Sequence, residues 1–389
     1  MYGALVIALA IPAAPQQQVS IDQLPTWRVE PTPLVVIGTN DTRSGHALHR
    51  VQGATRLSDG RIVIADGGSA ELRFFSPAGV LEARAGRQGR GPEEFRNIAN
   101  IATGSGDTIL VLTYDPAIAW VSPDAGVLRK VPLDIGAFRL ACSMTEGDMK
   151  QILPDASILV LAEEAFGQSG CKPRPIRLGQ GQDLVGRYDP GRKRLDTLGT
   201  FQGAELEGRF YRTFGQIVAV AASPDRLFAA STGTNTIQTF SYDGERLGAW
   251  ISPHKAQPVP ERLKNLPPRT TRTVTLPDGT VERPTAPDVA DTFPAIGRLL
   301  TDRGGNLWIM AYPIPNHGIA SYSLVWSEGY YADPAGSEWA VLSSRGRALA
   351  RVRMPPGVFV LEIGEDYVLA LRRDDLDVES VVMLRLHRS

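Results

Sequence analysis

The sequence predicts an all-β fold: a six-bladed β-propeller whose blades are four-stranded antiparallel sheets. A strand–turn–strand unit recurs along the 389 residues, with Asp-Gly or Gly-Asp pairs at several of its turns. The chain holds 39 glycines and 29 prolines, and no stretch keeps a 3.6-residue apolar period, so we expect many tight turns and almost no helix. A lone four-stranded sheet leaves both faces bare, and stacking such sheets around an axis covers both.

The first unit illustrates the pattern, and residues 216–251 are its cleanest copy. Asp59-Gly60 is a hairpin turn before the strand RIVIAD, and SPAGVLEARAG adds a further turn and a fourth strand. We predict a single domain over 28–389. Its predicted blades cover residues 51–85, 98–132, 148–199, 216–251, 294–352 and 356–388. The strand at 33–38 is predicted to join the C-terminal blade as its outer strand, which ties the chain ends together and removes an exposed sheet edge.

Residues 86–95, GRQGRGPEEF, follow a predicted strand, as a phosphate-binding loop would. The stretch lacks the Lys-Ser/Thr pair that closes such a loop, and the next segment, NIANIATGSGD, is typical of a strand and not of a helix. We therefore predict a corner between the outer strand of the first blade and the inner strand of the second. Glycines allow the positive φ angles of such a crossing, Pro92 stiffens it, and Phe95 can plug the seam between the blades.

The same stretch, with DGRIVIAD and FFSPAGVLEARAG before it, resembles the NHL-type repeat of six-bladed propellers. The family form of the crossing is Gly-x-Gly-x-Gly-Pro-Gly-Glu-Phe, and Glu93 stands where that family usually has glycine. The match covers residues 51–101. The chain as a whole resembles secreted bacterial six-bladed β-propeller proteins, most of which lack an assigned activity. The resemblance implies the fold and leaves the function open.

Residues 1–19 are predicted to be a leader. An apolar run at 4–14 ends in small residues and precedes a Gln tract, as in a secretory signal, although no Lys or Arg comes before it. The alternative is that this run forms the first strand of the fold. Export predicts a periplasmic or secreted protein, in which Cys142 and Cys171 can form one disulfide. Two unrelated thiols are the other interpretation.

Residues just after the second strand of each blade are predicted to ring the mouth of the central channel. They form a mixed acidic, aromatic and basic set that suits a polar organic molecule or a peptide. The candidates are Asp66, Tyr114, Asp115, Glu163, Thr232, Tyr312 and Arg372. The alternative is that Asp66 caps a turn and the others are ordinary solvated residues.

Two insertions also bear on binding. Residues 253–293 separate the fourth and fifth predicted blades, and their prolines indicate an extended excursion. Residues 313–337 interrupt the fifth blade and form either a binding lid or a cover packed on the blade. Their aromatic group is Tyr322, Trp326, Tyr330 and Tyr331.

Charge and motifs exclude several classes of function. Lys+Arg number 41 against 42 Asp+Glu, so no basic excess points to nucleic acid. The sequence has no Gly-x-Ser-x-Gly, and its five histidines are dispersed, which disfavours a zinc site. Apart from the leader, which is too short to span a bilayer comfortably, no segment resembles a membrane span.

The leading hypothesis is a non-enzymatic binding or scaffolding protein of the bacterial cell envelope. It would act as a monomer without a cofactor and recognise a protein or a small polar ligand at the channel mouth. Related propellers include calcium-dependent lactonases, so the alternative is a calcium-dependent hydrolase or lyase. Calcium needs six or more oxygen ligands, which Asp66, Asp115, Glu163 and Asp291 would supply in part if they converge.

Overall fold

The computed structural model describes residues 19–38, 47–133, 149–162, 181–207, 210–265, 274–275, 279, 281–282, 289–314 and 335–389. Several sequence predictions lie outside these residues: the leader up to residue 18, Glu163, Cys142, Cys171 and the aromatic group at 322–331.

Within the described residues the chain is almost entirely strand and turn. The strands are, in order, β1 (Thr26–Val29), β2 (Val35–Ile37), β3 (Val51–Arg56), β4 (Ile62–Asp66), β5 (Glu71–Phe75), β6 (Leu81–Ala85), β7 (Ile98–Thr103), β8 (Ile109–Thr113), β9 (Ala117–Val121), β10 (Val127–Pro132), β11 (Met149–Ile152), β12 (Ile158–Ala162), β13 (Gln182–Asp189), β14 (Arg194–Gln202), β15 (Leu206–Glu207), β16 (Phe210–Tyr211), β17 (Val218–Ala222), β18 (Leu227–Ser231), β19 (Thr236–Phe240), β20 (Arg246–Ile251), β21 (Gln257–Pro258), β22 (Val274–Thr275), β23 (Val281–Glu282), β24 (Thr292–Phe293), β25 (Arg298–Thr301), β26 (Leu307–Met310), β27 (Glu338–Leu342), β28 (Ala348–Arg353), β29 (Val358–Ile363), β30 (Tyr367–Arg373) and β31 (Glu379–His387). The described helices are α1 (Glu261–Lys264) and two 3-10 turns, Ile21–Gln23 and Ser105–Asp107. None of the described helices has the length and apolarity that crossing a membrane requires.

Four sheets are separate four-stranded antiparallel blades. The first blade holds β3–β6, the second β7–β10, the third β11–β14 and the fourth β17–β20. Strands that follow one another in sequence lie side by side, because tight turns join them. The second strand of a blade is buried along its length, as in β4 and β8, since neighbouring sheets cover both of its faces. The arrangement is propeller-like, as the repeated unit predicts.

The remaining long strands form one nine-stranded sheet, in the order β25-β26-β27-β28-β1-β31-β30-β29, with β2 also paired to β31. Strand β2 runs antiparallel to β31, with Val35 opposite Met383. This is the pairing that the sequence predicts for the strand at 33–38. Strand β1 bridges the two halves of the sheet, parallel to β28 and antiparallel to β31. The sequence does not predict this bridge, because four residues are too few to show a period.

Strand β1 closes a hydrophobic seam between the two halves of the nine-stranded sheet. Trp27 lies 6.0 Å from Trp308, and Trp308 lies 6.4 Å from Trp339, measured between ring centroids. The Trp308 Nε1–H donates to Asp302 Oδ2 at 3.0 Å. Arg388 also pairs with this carboxylate at 2.9 Å, and the Asp302 side chain is fully buried. The seam therefore buries an ion pair among aromatic rings.

The stretch 86–95 is a corner, as predicted. Phe95 is fully buried in a core cluster shared by the first and second blades, and β7 follows it without a helix. Gly86 has a φ of +82°, and a Cβ there would clash with the Phe95 ring. Glu94 holds the loop by accepting hydrogen bonds from the Gly91 N–H and from Arg87 Nε, both at 2.9 Å. Arg87 and the glycines of this stretch therefore stabilise the turn that connects the first blade to the second.

A polar network joins the nine-stranded sheet to the first two blades. Glu362 accepts hydrogen bonds from Thr55 Oγ1 at 2.5 Å, from the Tyr367 hydroxyl at 2.7 Å and from Arg303 at 3.1 Å. Thr55 also contacts Thr103 Oγ1 at 2.8 Å. Burial and the neighbouring Glu362 charge raise the pKa of Tyr367, so its hydroxyl stays a donor. Sheets far apart in sequence are thus connected through one carboxylate.

Candidate functional site

A cavity of about 220 Å³ lies where the segments that follow β20 and β26 and the segment that precedes β25 meet the N-terminal 3-10 turn. The residues on which its chemistry depends are Ile21, His254, Lys255, Phe293, Tyr312 and Glu338. Its volume is below the usual 300–1,000 Å³ range for drug-sized ligands. It therefore suits a small molecule or one side chain of a protein.

An aromatic wall forms one side of the cavity. Tyr312 follows β26, and its ring stacks on Phe293 with centroids 5.8 Å apart and planes 24° apart. Phe293 in turn meets Phe214 edge-on at 4.9 Å and is almost fully buried. The backbone beneath Tyr312 is held by the Ala311 N–H, which donates to the Glu338 carbonyl at 2.9 Å. The Phe293 ring, itself packed on Phe214, therefore holds the Tyr312 ring in place.

His254 supplies a buried neutral group to the same cavity. Its side chain is only 5% exposed, and burial lowers its pKa to about 4. Nε2 lies 3.0 Å from the Ile309 carbonyl, which can only accept, so Nε2 carries the proton. The neutral ring therefore keeps Nδ1 as a hydrogen-bond acceptor.

Two opposite charges complete the lining. Lys255 is exposed next to His254, and Glu338 opens strand β27. An aromatic wall, one ammonium, one carboxylate and one imidazole acceptor suit a small polar ligand with an apolar or aromatic part. The cavity can therefore recognise such a ligand by hydrogen bonds, by charge and by aromatic stacking.

Of the predicted ring residues, the structure places Tyr312 in the cavity lining; His254, Lys255 and Phe293 also line it and were not predicted. The predicted ring considered only residues that follow the second strand of each blade. The second and fourth strands of an antiparallel blade run in the same direction, so residues after β20 reach the same end of the blades as residues after β26. A search after every fourth strand would have found His254 and Lys255.

Two predicted residues hold the backbone locally. Asp66 ends β4 and is buried; it accepts from the Gly68 and Ser69 N–H groups at 3.0 and 3.2 Å. Its other oxygen pairs with Arg73 at 2.9 Å. Thr232 Oγ1 accepts from the Ile217 N–H at 2.9 Å. The Thr232 carbonyl accepts from the Ala295 N–H at 2.9 Å, which links the fourth blade to the segment before β25.

The other described candidates lie apart from the cavity lining. The Tyr114 N–H donates to the Asn97 carbonyl at 3.0 Å, and Asp115 Oδ1 is buried without a hydrogen-bond partner among the described residues. Arg372 donates to the Pro31 carbonyl at 3.2 Å and so fastens the segment between β1 and β2. Glu163 lies outside the described residues.

A calcium ion does not fit the described residues. No three His, Cys, Asp or Glu side chains in the described ranges converge to hold a metal ion. The Asp66 carboxylate is occupied by Arg73 and backbone donors, and Asp291 is exposed on a different segment.

Comparisons with known proteins support the fold. No protein-family model matches the chain, and no curated protein matches it. A solved structure of a DUF4221 family member from Bacteroides vulgatus ATCC 8482 is similar, with a TM-score of 0.51 at 9% identity over 93% of this chain and 99% of that chain. This likeness concerns the fold alone. The NHL-type resemblance stays a prediction.

Two further solved structures are similar at lower scores. A proposed exported protein from Bacteroides fragilis NCTC 9343 has a TM-score of 0.45 at 12% identity, over 94% of this chain and 99% of that chain. A gluconolactonase from Xanthomonas campestris has 0.38 at 13% identity, over 87% and 86%. Both TM-scores are below 0.5, so neither similarity indicates a function for this chain.

Proposed function

We propose that this chain is a binding protein whose cavity beside Tyr312 takes a small polar ligand or one side chain of a protein partner. The observation that carries the proposal is the lining itself: a supported aromatic ring, a buried neutral imidazole and both signs of charge meet in one small cavity. Such a lining recognises a ligand without a convergent catalytic set.

The proposal includes a six-bladed architecture in one domain over 28–389. The four separate sheets count as blades one to four, β25–β28 as the fifth, and β29–β31 with β2 as the sixth. The pairing of β2 with β31 supports this count, because it gives the last blade its fourth strand. The NHL-type corner at 86–95 belongs to the same proposal.

We assign the predicted ring residues different parts in binding. Tyr312 contacts the ligand, while Asp66 and Thr232 hold the loops of the first and fourth blades in place. Tyr114, Asp115, Glu163 and Arg372 are proposed contacts for a larger partner, since the first three follow the second strand of their blade and Arg372 lies in the last two residues of β30.

The proposed location is the periplasm or the outside of the cell, and the proposed state is a monomer. The apolar run at 4–14 with its small residues and Gln tract supports export. A disulfide between Cys142 and Cys171 belongs to the same proposal.

The test is saturation-transfer NMR of the full chain with a panel of free amino acids and dipeptides. We expect a compound with an aromatic or apolar side chain to bind, and Tyr312→Ala to weaken it about tenfold because the stacking surface is lost. Trp120→Ala is the matched control: this aromatic residue lies in the second blade, where Arg129 stacks on it at 3.7 Å.

Two results would overturn the proposal. One is that nothing in the panel binds the wild type; the other is that Tyr312→Ala and Trp120→Ala behave alike. The calcium-dependent hydrolase or lyase would replace it if EDTA lowered the melting temperature by several degrees and a lactone were hydrolysed only with calcium present.

A further inference from the structure

Strand β1 and its two neighbours carry a row of four arginines and one histidine on one face. Arg28 is the register partner of Arg353 on β28 and of His387 on β31. Paired residues project from the same face, and so do residues two apart on a strand. Arg351 and Arg385 therefore share that face, and we call the five residues the arginine ridge.

The opposite face of the same strands is buried, which orients the ridge toward solvent. Val29, Val352 and Leu386 are 6%, 1% and 3% exposed within the seam cluster. Arg28, Arg353 and Arg385 are exposed, and Arg351 and His387 are partly exposed. The ridge thus lies on the outer surface over the bridge between the two halves of the nine-stranded sheet.

Carboxylates neutralise only part of the ridge. Glu30 pairs with His387 at 2.8 Å, and Asp22 pairs with Arg351 at 3.3 Å. The hydrogen bond from His387 and the charges of His387, Arg28 and Arg385 outweigh burial and lower the pKa of Glu30. Among the described residues, no carboxylate lies within ion-pair distance of Arg28, Arg353 or Arg385. Glu338 on β27 is the other register partner of Arg353 and shares its face, so the ridge is a positive surface with three carboxylates beside it.

The sequence around β28 carries further positive charge next to the arginine ridge. Residues 343–357, SSRGRALARVRMPPG, contain four arginines and no acidic residue. Arg345 and Arg347 are exposed around the turn that leads into β28. Two further exposed arginines therefore lie at the end of β28 where the strand begins.

We propose that the arginine ridge is a docking surface for an extended, acidic polypeptide segment of another protein. Guanidinium groups bind carboxylates in a bidentate fashion, and Arg351 and Arg353 repeat at about 6.8 Å along β28. Side chains on one face of an extended peptide repeat at the same distance, so alternating carboxylates match this spacing. None of the exposed large hydrophobic residues of the described chain lies on β1, β28 or β31, which disfavours a membrane surface as the partner.

The test is fluorescence anisotropy of a labelled, roughly 12-residue peptide with Glu at alternate positions, titrated with the full chain at about 50 mM salt. The wild type should bind, and the triple variant Arg28→Gln/Arg353→Gln/Arg385→Gln should bind about tenfold more weakly or worse. The matched control removes three exposed charges elsewhere: Arg90→Gln/Lys193→Gln/Arg246→Gln.

The control variant distinguishes peptide binding at the arginine ridge from attraction by the net charge of the protein. Equal loss in both triple variants would show that only net charge matters and would overturn the proposal, as would absence of peptide binding to the wild type. Vesicles with anionic lipid that bind the wild type while the peptide does not would assign the ridge to a membrane. If the ridge triple variant fails to fold, Arg385→Gln alone replaces it, since this exposed residue makes no ion pair among the described residues.

Discussion

At the residue scale, burial determines the charge state of His254. The imidazole donates its N–H to the Ile309 carbonyl and has no carboxylate partner among the described residues, so this one hydrogen bond offsets only part of the loss of solvation on protonation. Burial accordingly lowers its pKa to about 4. A ligand in the cavity meets a neutral acceptor at this position throughout the physiological pH range.

The pH dependence of stability follows from this shift. The unfolded His254 has an ordinary pKa near 6.5, so below that pH the unfolded chain binds a proton that the folded protein excludes until about pH 4. The free energy of unfolding should therefore fall between about pH 6.5 and pH 4, by about 3 kcal/mol in total.

Urea unfolding at a series of pH values measures this fall. His254→Gln should flatten it, and His387→Gln, which replaces a partly exposed histidine, should leave it steep. An unchanged slope in His254→Gln would contradict the assignment of the protonation penalty to this residue.

At the element scale, aspartates in the turns between first and second strands have different partners in different blades. Asp59, Asp225 and Asp302 each lie in the turn between the first and second strands of a repeat. Asp59 and Asp225 pair with a nearby arginine at the surface, at 2.7 and 3.1 Å. Asp302 instead lies in the seam, where Trp308, Asn306 and Arg388 all donate to it. The aspartates in these turns therefore contribute different amounts to the free energy of unfolding.

Substitution at two of these turns should show the difference. Asp302→Ala leaves the Arg388 guanidinium and the Trp308 N–H without their acceptor in a buried seam, and should lower the free energy of unfolding by about 3 kcal/mol. Asp225→Ala removes a largely exposed carboxylate and should cost about 1 kcal/mol or less. Chemical denaturation of both variants measures the two values, and equal losses would contradict this account of the turns.

At the scale of the whole molecule, the N-terminal segment holds the two chain ends together. Strand β1 joins β28 to β31, and β2 covers a further part of the β31 edge. Arg372 fastens the segment between them. Without these strands, β28 and β31 would expose unpaired edges and the seam would lose Trp27 and Val29.

A truncated chain tests this closure. A protein that begins at residue 31 lacks β1 and should melt about 5 °C lower or more, because the aromatic seam opens to water. A protein that begins at residue 19 keeps both strands and should melt like the full chain. Differential scanning fluorimetry measures both, and identical melting temperatures would show that β1 adds nothing to closure.

The sequence predicted the features that depend on neighbouring residues. Asp59-Gly60 indicated a hairpin because Gly60 takes a φ of +92°, and the corner at 86–95 was recognisable from its glycines and Phe95. Tyr312 was a candidate because it follows a clear apolar strand. His254 was not, since a histidine in a proline-rich segment carries no periodic signal.

By itself, then, the sequence determined the all-β class, the four-stranded antiparallel unit and the corner between the first two blades. Turn geometry and strand alternation act over a few residues, and such rules can be read locally. Only the tertiary structure decided the bridge by β1, the cavity lining and the arginine ridge. These bring together residues separated by hundreds of positions, such as Arg28 with Arg353 and Ile21 with Tyr312. Their proximity depends on how the sheets pack, and no local pattern encodes it.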